Sequence, residues 1–152
     1  MTTKKEFHLA LREAREKAKI SEADAASMAN LNASWYWDQE NNADEWWSVT
    51  PLVCTIPLIN YFKIEWEKCF DWPAGKRLDF RKAANEHIAE TRKELGLSLA
   101  EFCERCGLYE SFGFIIEGHY LGLYLYPPDV LVEVAKTLGI DASDLMRLGM
   151  KQ

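Results

Sequence analysis

The chain has 152 residues, with 18 Lys and Arg against 24 Asp and Glu, for a formal net charge of −6. Its 48% apolar and 28% charged content is that of an ordinary soluble globule and argues against a disordered chain. No apolar run approaches the roughly 18 residues a membrane helix needs, and four cysteines are too few for a disulfide scaffold. The charged stretch MTTKKEFHLALREAREKAK has no apolar signal core, which predicts a cytoplasmic protein.

In chain order, helical periodicity predicts helices over residues 4–18, 22–30, 33–41, 51–62 and 65–70. Pro57 falls inside the fourth and should kink or break it. Asp71 to Lys82 (DWPAGKRLDFRK) contains a proline, a glycine and four basic residues, and reads as a linker entering the next helix. Ile88, Thr91 and Leu95 then mark a helix that stops at Gly96. Ser98 and Glu101 form a capping box for a helix with the buried stripe Phe102, Cys103 and Cys106, ended by Gly107. A third helix runs from about Ser111 to Glu117. Tyr120 to Tyr126 (YLGLYLY) is a strand candidate. After Pro127-Pro128, DVLVEVAKTLG and ASDLMRL read as two closing helices.

The chain repeats itself at an offset of 77 residues. Residues 11–41 lie over 88–118 without a gap: Arg15 meets Arg92, Ile20-Ser21 meets Leu97-Ser98, Leu31 meets Leu108, Ser34 meets Ser111, Trp35 meets Phe112 and Glu40 meets Glu117. After a one-residue slip, Phe62-Lys63-Ile64-Glu65 meets Leu138-Gly139-Ile140-Asp141.

The ordered series in the second copy carries a family resemblance. Ile88 to Ser98 looks like the first helix, and the serine opening the second, of the Cro/lambda-repressor type of helix-turn-helix domain (the XRE family). Glu101 to Leu108 resembles its second helix and turn, Ile116-Glu117-Gly118 the end of its recognition helix, and Val134 to Asp141 its closing helix. The resemblance implies an all-α chain of two five-helix domains in tandem. These would be a degenerate copy over 1–70, a linker and start of the next helix over 71–84, and a better copy over 85–152. It implies DNA-reading positions at Ala33 to Gln39 and Glu110 to Ile116, and a structural role for the helix-ending acids Glu40 and Glu117. It also implies that Trp35 and Phe112 pack inward. The family usually opens helix two with Ser-Gln; this chain has Ser21-Glu22 and Ser98-Leu99.

Charge argues against ordinary DNA binding. A specific complex typically needs cations for about 6–10 phosphate contacts. From Ile20 to Phe62 and from Cys106 to Ala135 there is no Lys or Arg, and these spans hold both would-be reading helices. Within these spans, eleven of the nineteen aromatics cluster on the would-be reading helices and the loops beside them: Trp35, Tyr36, Trp37, Trp46, Trp47, Tyr109, Phe112, Phe114, Tyr120, Tyr124 and Tyr126. Consecutive residues of a short helix cannot all face the core, so some of these rings must reach the surface or the boundary between copies. Exposed rings rimmed by acids mark a contact with another protein, one with a basic surface.

The expected partner-binding residues are therefore Trp35, Tyr36, Trp37, Asp38, Asp44, Glu45, Trp46, Trp47, Tyr120 and Tyr124. A homodimer would satisfy the same patch. The expected function is a non-catalytic protein-binding module, such as an immunity, antitoxin or inhibitor protein. The alternative is a DNA-binding transcriptional regulator using Lys76, Arg77, Arg81 and Lys82. No catalytic constellation, phosphate loop, cofactor motif or metal-ligand spacing is recognisable, and the pair Cys103 and Cys106 reads as core rather than zinc.

Overall fold

Side-chain caps set the helix starts that the sequence announces. In this computed structural model, which describes residues 6–43 and 45–151, Ser21 accepts from the Asp24 amide, Asn32 from Trp35, Ser98 from Glu101 and Asp141 from Asp144. Each satisfies an amide that the first helical turn leaves without an intrahelical partner. Asp44, Lys4 and Lys5 lie outside the described residues.

The fold is all-α: among the described residues there are ten α-helices, two 3-10 turns and no strand. The chain divides into two units, Met1–Asp71 and Trp72–Gln152. The first holds α1 (Phe7–Lys17), α2 (Glu22–Met28), α3 (Ala33–Glu40), α4 (Glu45–Ser48), α5 (Leu52–Phe62) and a 3-10 turn at Trp66–Lys68. The second holds α6 (Ala84–Glu94), α7 (Leu99–Cys106), α8 (Glu110–Gly118), a 3-10 turn at Gly122–Leu125, α9 (Pro128–Leu138) and α10 (Ala142–Met150). No described helix is long and apolar enough to cross a membrane.

The two units pack their helices alike. In the first, α3 lies on α1 and α2, and α5 lies on the same two; in the second, α8 lies on α6 and α7, and α9 lies on those two. The chain reversals also recur. Left-handed backbone occurs at Lys19, Asn30 and Lys63 in the first unit and at Gly96, Gly107 and Gly139 in the second. The first two pairs stand 77 residues apart and the third 76, which is the slip read from the sequence. Glycine takes this conformation without a Cβ clash, whereas other L-residues lose about 1–2 kcal/mol. Lys63→Gly is therefore expected to stabilise the first unit by about 0.5–1 kcal/mol after the added freedom of the unfolded chain is subtracted. Asn30→Gly should give less, because asparagine tolerates this region. Urea midpoints check both.

A break at Pro57 and a strand at Tyr120 to Tyr126 are both corrected. α5 runs unbroken through Pro57, which sits on the exposed side while Ile56, Leu58 and Ile59 are buried. Packing of those neighbours holds a turn that lacks one hydrogen bond. The YLGLYLY stretch forms a 3-10 turn rather than a strand, closed by Gly122 N to His119 O (2.9 Å) and Tyr124 N to Leu121 O (2.9 Å).

Residues 73–78 are bound along the second unit. Lys76 N donates to Gly139 O (2.8 Å), Asp141 N to Lys76 O (2.9 Å) and Ala142 N to Pro73 O (3.0 Å). The approach is close enough that a Cβ on Gly75 would sit 2.5 Å from the Ile140 carbonyl carbon. Arg77 forks onto the buried Asp144 carboxylate at 2.7 and 3.1 Å, and the Leu78 amide adds a third hydrogen bond to it at 3.0 Å.

Candidate functional site

The third helix of each unit is anchored at its C-terminal end by the same arginine fork. In the first unit, Arg15 donates through Nε to Glu40 Oε2 (2.9 Å), through Nη2 to Glu40 Oε1 (2.6 Å) and through Nη1 to the Ile20 carbonyl (3.0 Å). In the second, Arg92 donates to Glu117 Oε2 (2.6 Å), Glu117 Oε1 (3.0 Å) and the Leu97 carbonyl (2.7 Å). One arginine thus ties the first helix, the turn after it and the end of the third helix together. Burial alone would raise the Glu40 carboxyl; the Arg15 fork outweighs it and holds the group below its ordinary value. Arg12 adds a bond to the Glu40 carbonyl at 3.2 Å. The arginines nearest α3 are therefore spent on its inner end.

Which ring of α3 enters the core differs from expectation. Tyr36 is buried, while Trp35 is 45% exposed and Trp37 52%. The equivalent of Tyr36 in the second unit is Gly113, and Phe112 is only half-buried. The inward position is thus one residue later than the one given to Trp35 and Phe112. Neighbouring volumes account for the size difference. A Cβ at Gly113 would lie 2.5 Å from Cys103 Sγ and 2.9 Å from a Leu99 methyl. At those positions the first unit has Ala26 and Glu22, so α2 leaves room for a tyrosine ring.

Trp46 and Tyr124 are also core residues. Trp46 packs edge-on against Phe7 (5.4 Å between centroids) and Tyr36 (6.0 Å). Tyr124 donates its hydroxyl to the Leu145 carbonyl, and its ring lies against Gly149, where a Cβ would come within 2.3 Å. Tyr36, Trp46 and Tyr124 are therefore corrected from partner-binding to core residues: rings with no accessible surface cannot reach a partner. Trp47 is half-buried, 4.9 Å from Phe70.

Of the remaining residues, Trp35, Asp38 and Glu45 come together at the surface of the first unit. α3 and α4 flank an open groove of about 460 Å³ lined by Asn32, Ser34, Trp35, Asp38, Asn42, Glu45 and Val49. Asn32 shapes its floor by accepting from both the Trp35 amide (2.8 Å) and the Ser34 hydroxyl (3.0 Å). α4 is held under α3 by the buried Thr50 hydroxyl, which donates to Gln39 Oε1. Trp37 projects from α3 outside the groove lining.

In the second unit, Tyr109 at the start of α8 is 77% exposed and Phe114 63%, with Ile115 and Tyr120 also at the surface. Tyr109 touches Phe112 at 6.0 Å, and Phe112 touches Tyr126 at 5.3 Å. Tyr109 and Phe114 belong to the clustered rings noted in the sequence but not to the expected partner-binding set, and Asn42 and Val49 were not singled out at all. Asn42 stands four residues after Asp38, a helical-face spacing that was available as a signal.

Three of the four basic residues of the alternative reading are paired within the second unit. Arg77 holds Asp144 at 2.7 Å, Arg81 holds Asp79 at 2.9 Å and Lys82 holds Glu90 at 2.9 Å. Lys76 is exposed at its side chain and committed at its backbone. Cys103 and Cys106 are buried on α7, and burial pushes the Cys106 thiol up to about 11. Among the described residues no group of three metal-ligating side chains occurs. Compared with protein-family models, curated proteins and solved structures, the chain matches none.

Proposed function

We propose that this chain is a non-catalytic protein-binding module on a tandem scaffold of the Cro/lambda-repressor type, of the kind used by immunity, antitoxin or inhibitor proteins. One observation carries the reading: the outward faces of α3 and α8 present Trp35, Trp37, Tyr109 and Phe114 to solvent, in spans without Lys or Arg. Aromatic side chains of this kind supply most of the energy at protein interfaces, and a polyanion finds no cation there. The recurring arginine forks and left-handed turns support the tandem scaffold. Fold does not assign function, so the surface decides the reading. The pairing of Arg77, Arg81 and Lys82 weighs against the DNA-binding alternative.

Two measurements test it. Fluorescence polarisation against random duplex DNA at low salt is expected to give no sub-micromolar, salt-steep binding; such binding would refute the reading. A partner captured from the native host should lose about 30-fold in affinity on Trp35→Ala with Trp37→Ala, the effect of removing about 2 kcal/mol of hot-spot contact. If those changes and Phe114→Ala all leave the affinity intact, the third helices are not the contact surface.

A further inference from the structure

We propose that the groove between α3 and α4 seats an arginine side chain of a basic protein segment. The inference rests on the protein-binding reading above and narrows it to one pocket and one side-chain chemistry.

The outward face of α3 is unpartnered within its unit, and its groove combines an aromatic wall with negative charge. Trp35 supplies the indole, and the exposed side chain of Val49 supplies apolar rim. Asp38 and Glu45 supply carboxylates, and neither makes an ion pair or side-chain hydrogen bond among the described residues. The fate of these acids contrasts with that of Glu40, which is held by Arg15. No Lys or Arg occurs between Ile20 and Phe62, so no cation from that span can neutralise them. An incoming cation therefore meets two unpaired carboxylates beside an exposed indole.

Guanidinium fits this combination better than ammonium. It is planar, stacks on an aromatic face and forks its N–H donors onto carboxylate oxygens. The groove's volume of about 460 Å³ and its open mouth admit one long side chain with its flanking backbone. Nucleic acid, with its phosphates, is repelled by the same carboxylates.

The test uses the full chain labelled with nitrogen-15, with Trp35→Phe identifying the indole resonance. Three blocked peptides of equal length are titrated into the millimolar range: one with arginine, one with lysine, and one with citrulline, which keeps the shape of arginine without its charge. With the arginine peptide, saturable shifts are expected at the Trp35 indole and at the Asp38, Glu45 and Val49 amides. Lysine should bind more weakly and citrulline should produce no shift. The isosteric pair Asp38→Asn and Glu45→Gln should keep the rest of the spectrum and weaken arginine binding by about 2- to 30-fold, as expected for losing two exposed ion pairs.

Equal shifts with citrulline, shifts scattered over the acids of α1, or an unaffected double variant would each overturn the proposal. The broader reading fails separately. If the captured partner is lost with Trp35→Ala and Trp37→Ala but kept with Asp38→Asn and Glu45→Gln, arginine recognition is wrong and protein binding stands.

Discussion

Glu40→Ala is expected to destabilise the first unit by about 3–5 kcal/mol, the cost of leaving one member of a buried ion pair without its partner. The Arg15 and Glu40 side chains retain only 10% and 1% exposure, so water cannot replace the lost carboxylate. Glu117→Ala removes the equivalent group in the second unit. There Arg92 and Glu117 keep 13% and 14% exposure, and the expected loss is smaller, about 1.5–3 kcal/mol. Five of the six tryptophans, at 35, 37, 46, 47 and 66, lie in the first unit. Urea titration followed by tryptophan fluorescence therefore reads mainly that unit, and circular dichroism reads both. A larger loss for Glu117→Ala would contradict burial as the cause.

The same pair sets an acid limit. The Glu40 carboxyl lies below its ordinary value in the folded state, with burial opposing and Arg15 outweighing it. A lowered folded pKa gives stability that is present above the unfolded value, about 4.3 for glutamate. That stability is lost as pH falls toward the folded value. Stability of the first unit should therefore drop below about pH 4, and Glu40→Gln should lower stability at neutral pH while flattening that part of the pH dependence.

Trp46→Ala is expected to cost about 3–5 kcal/mol, because the ring is fully buried and its removal leaves a cavity. Phe7 and Tyr36 lose an edge-on contact with it. Trp37→Ala, at a ring half open to solvent, should change stability by less than about 0.5 kcal/mol. Urea midpoints for the two variants separate core from surface. A near-neutral Trp46→Ala would mean that the ring is not in the core, and the assignment of Trp35 and Trp37 as the exposed pair would fall with it. Trp46 is accordingly unsuitable as a binding probe, since its loss would abolish an interaction by unfolding the unit.

Much of the helical framework was legible in residues alone. Ser21, Ser98 and Glu101 announce helix starts through local hydrogen bonds, and Gly96, Gly107 and Gly139 announce chain reversals through backbone conformation. Both signals act within a few residues, so sequence carries them directly. In the first unit the reversals fall at Lys19, Asn30 and Lys63, where no glycine marks them, and only the 77-residue register pointed there. The matched pairs Arg15 with Arg92 and Glu40 with Glu117 were visible as identities, but not their role as forks.

The candidate site was legible in kind and not in detail. Three successive rings at Trp35, Tyr36 and Trp37 give no polar contrast from which to read an inward face. Tertiary packing chose Tyr36, because Ala26 on α2 leaves space there while Cys103 and Leu99 fill it in the second unit. The pairing of Arg77 with Asp144, 67 residues away, was equally beyond local pattern. Sequence by itself determined the helix ends that serine caps and glycines mark, and the absence of cations from both third-helix spans, since caps, glycines and composition are local. The tertiary structure alone decided which rings are core, which acids stay unpaired and where a groove opens, since those depend on volumes and charges brought together from distant parts of the chain.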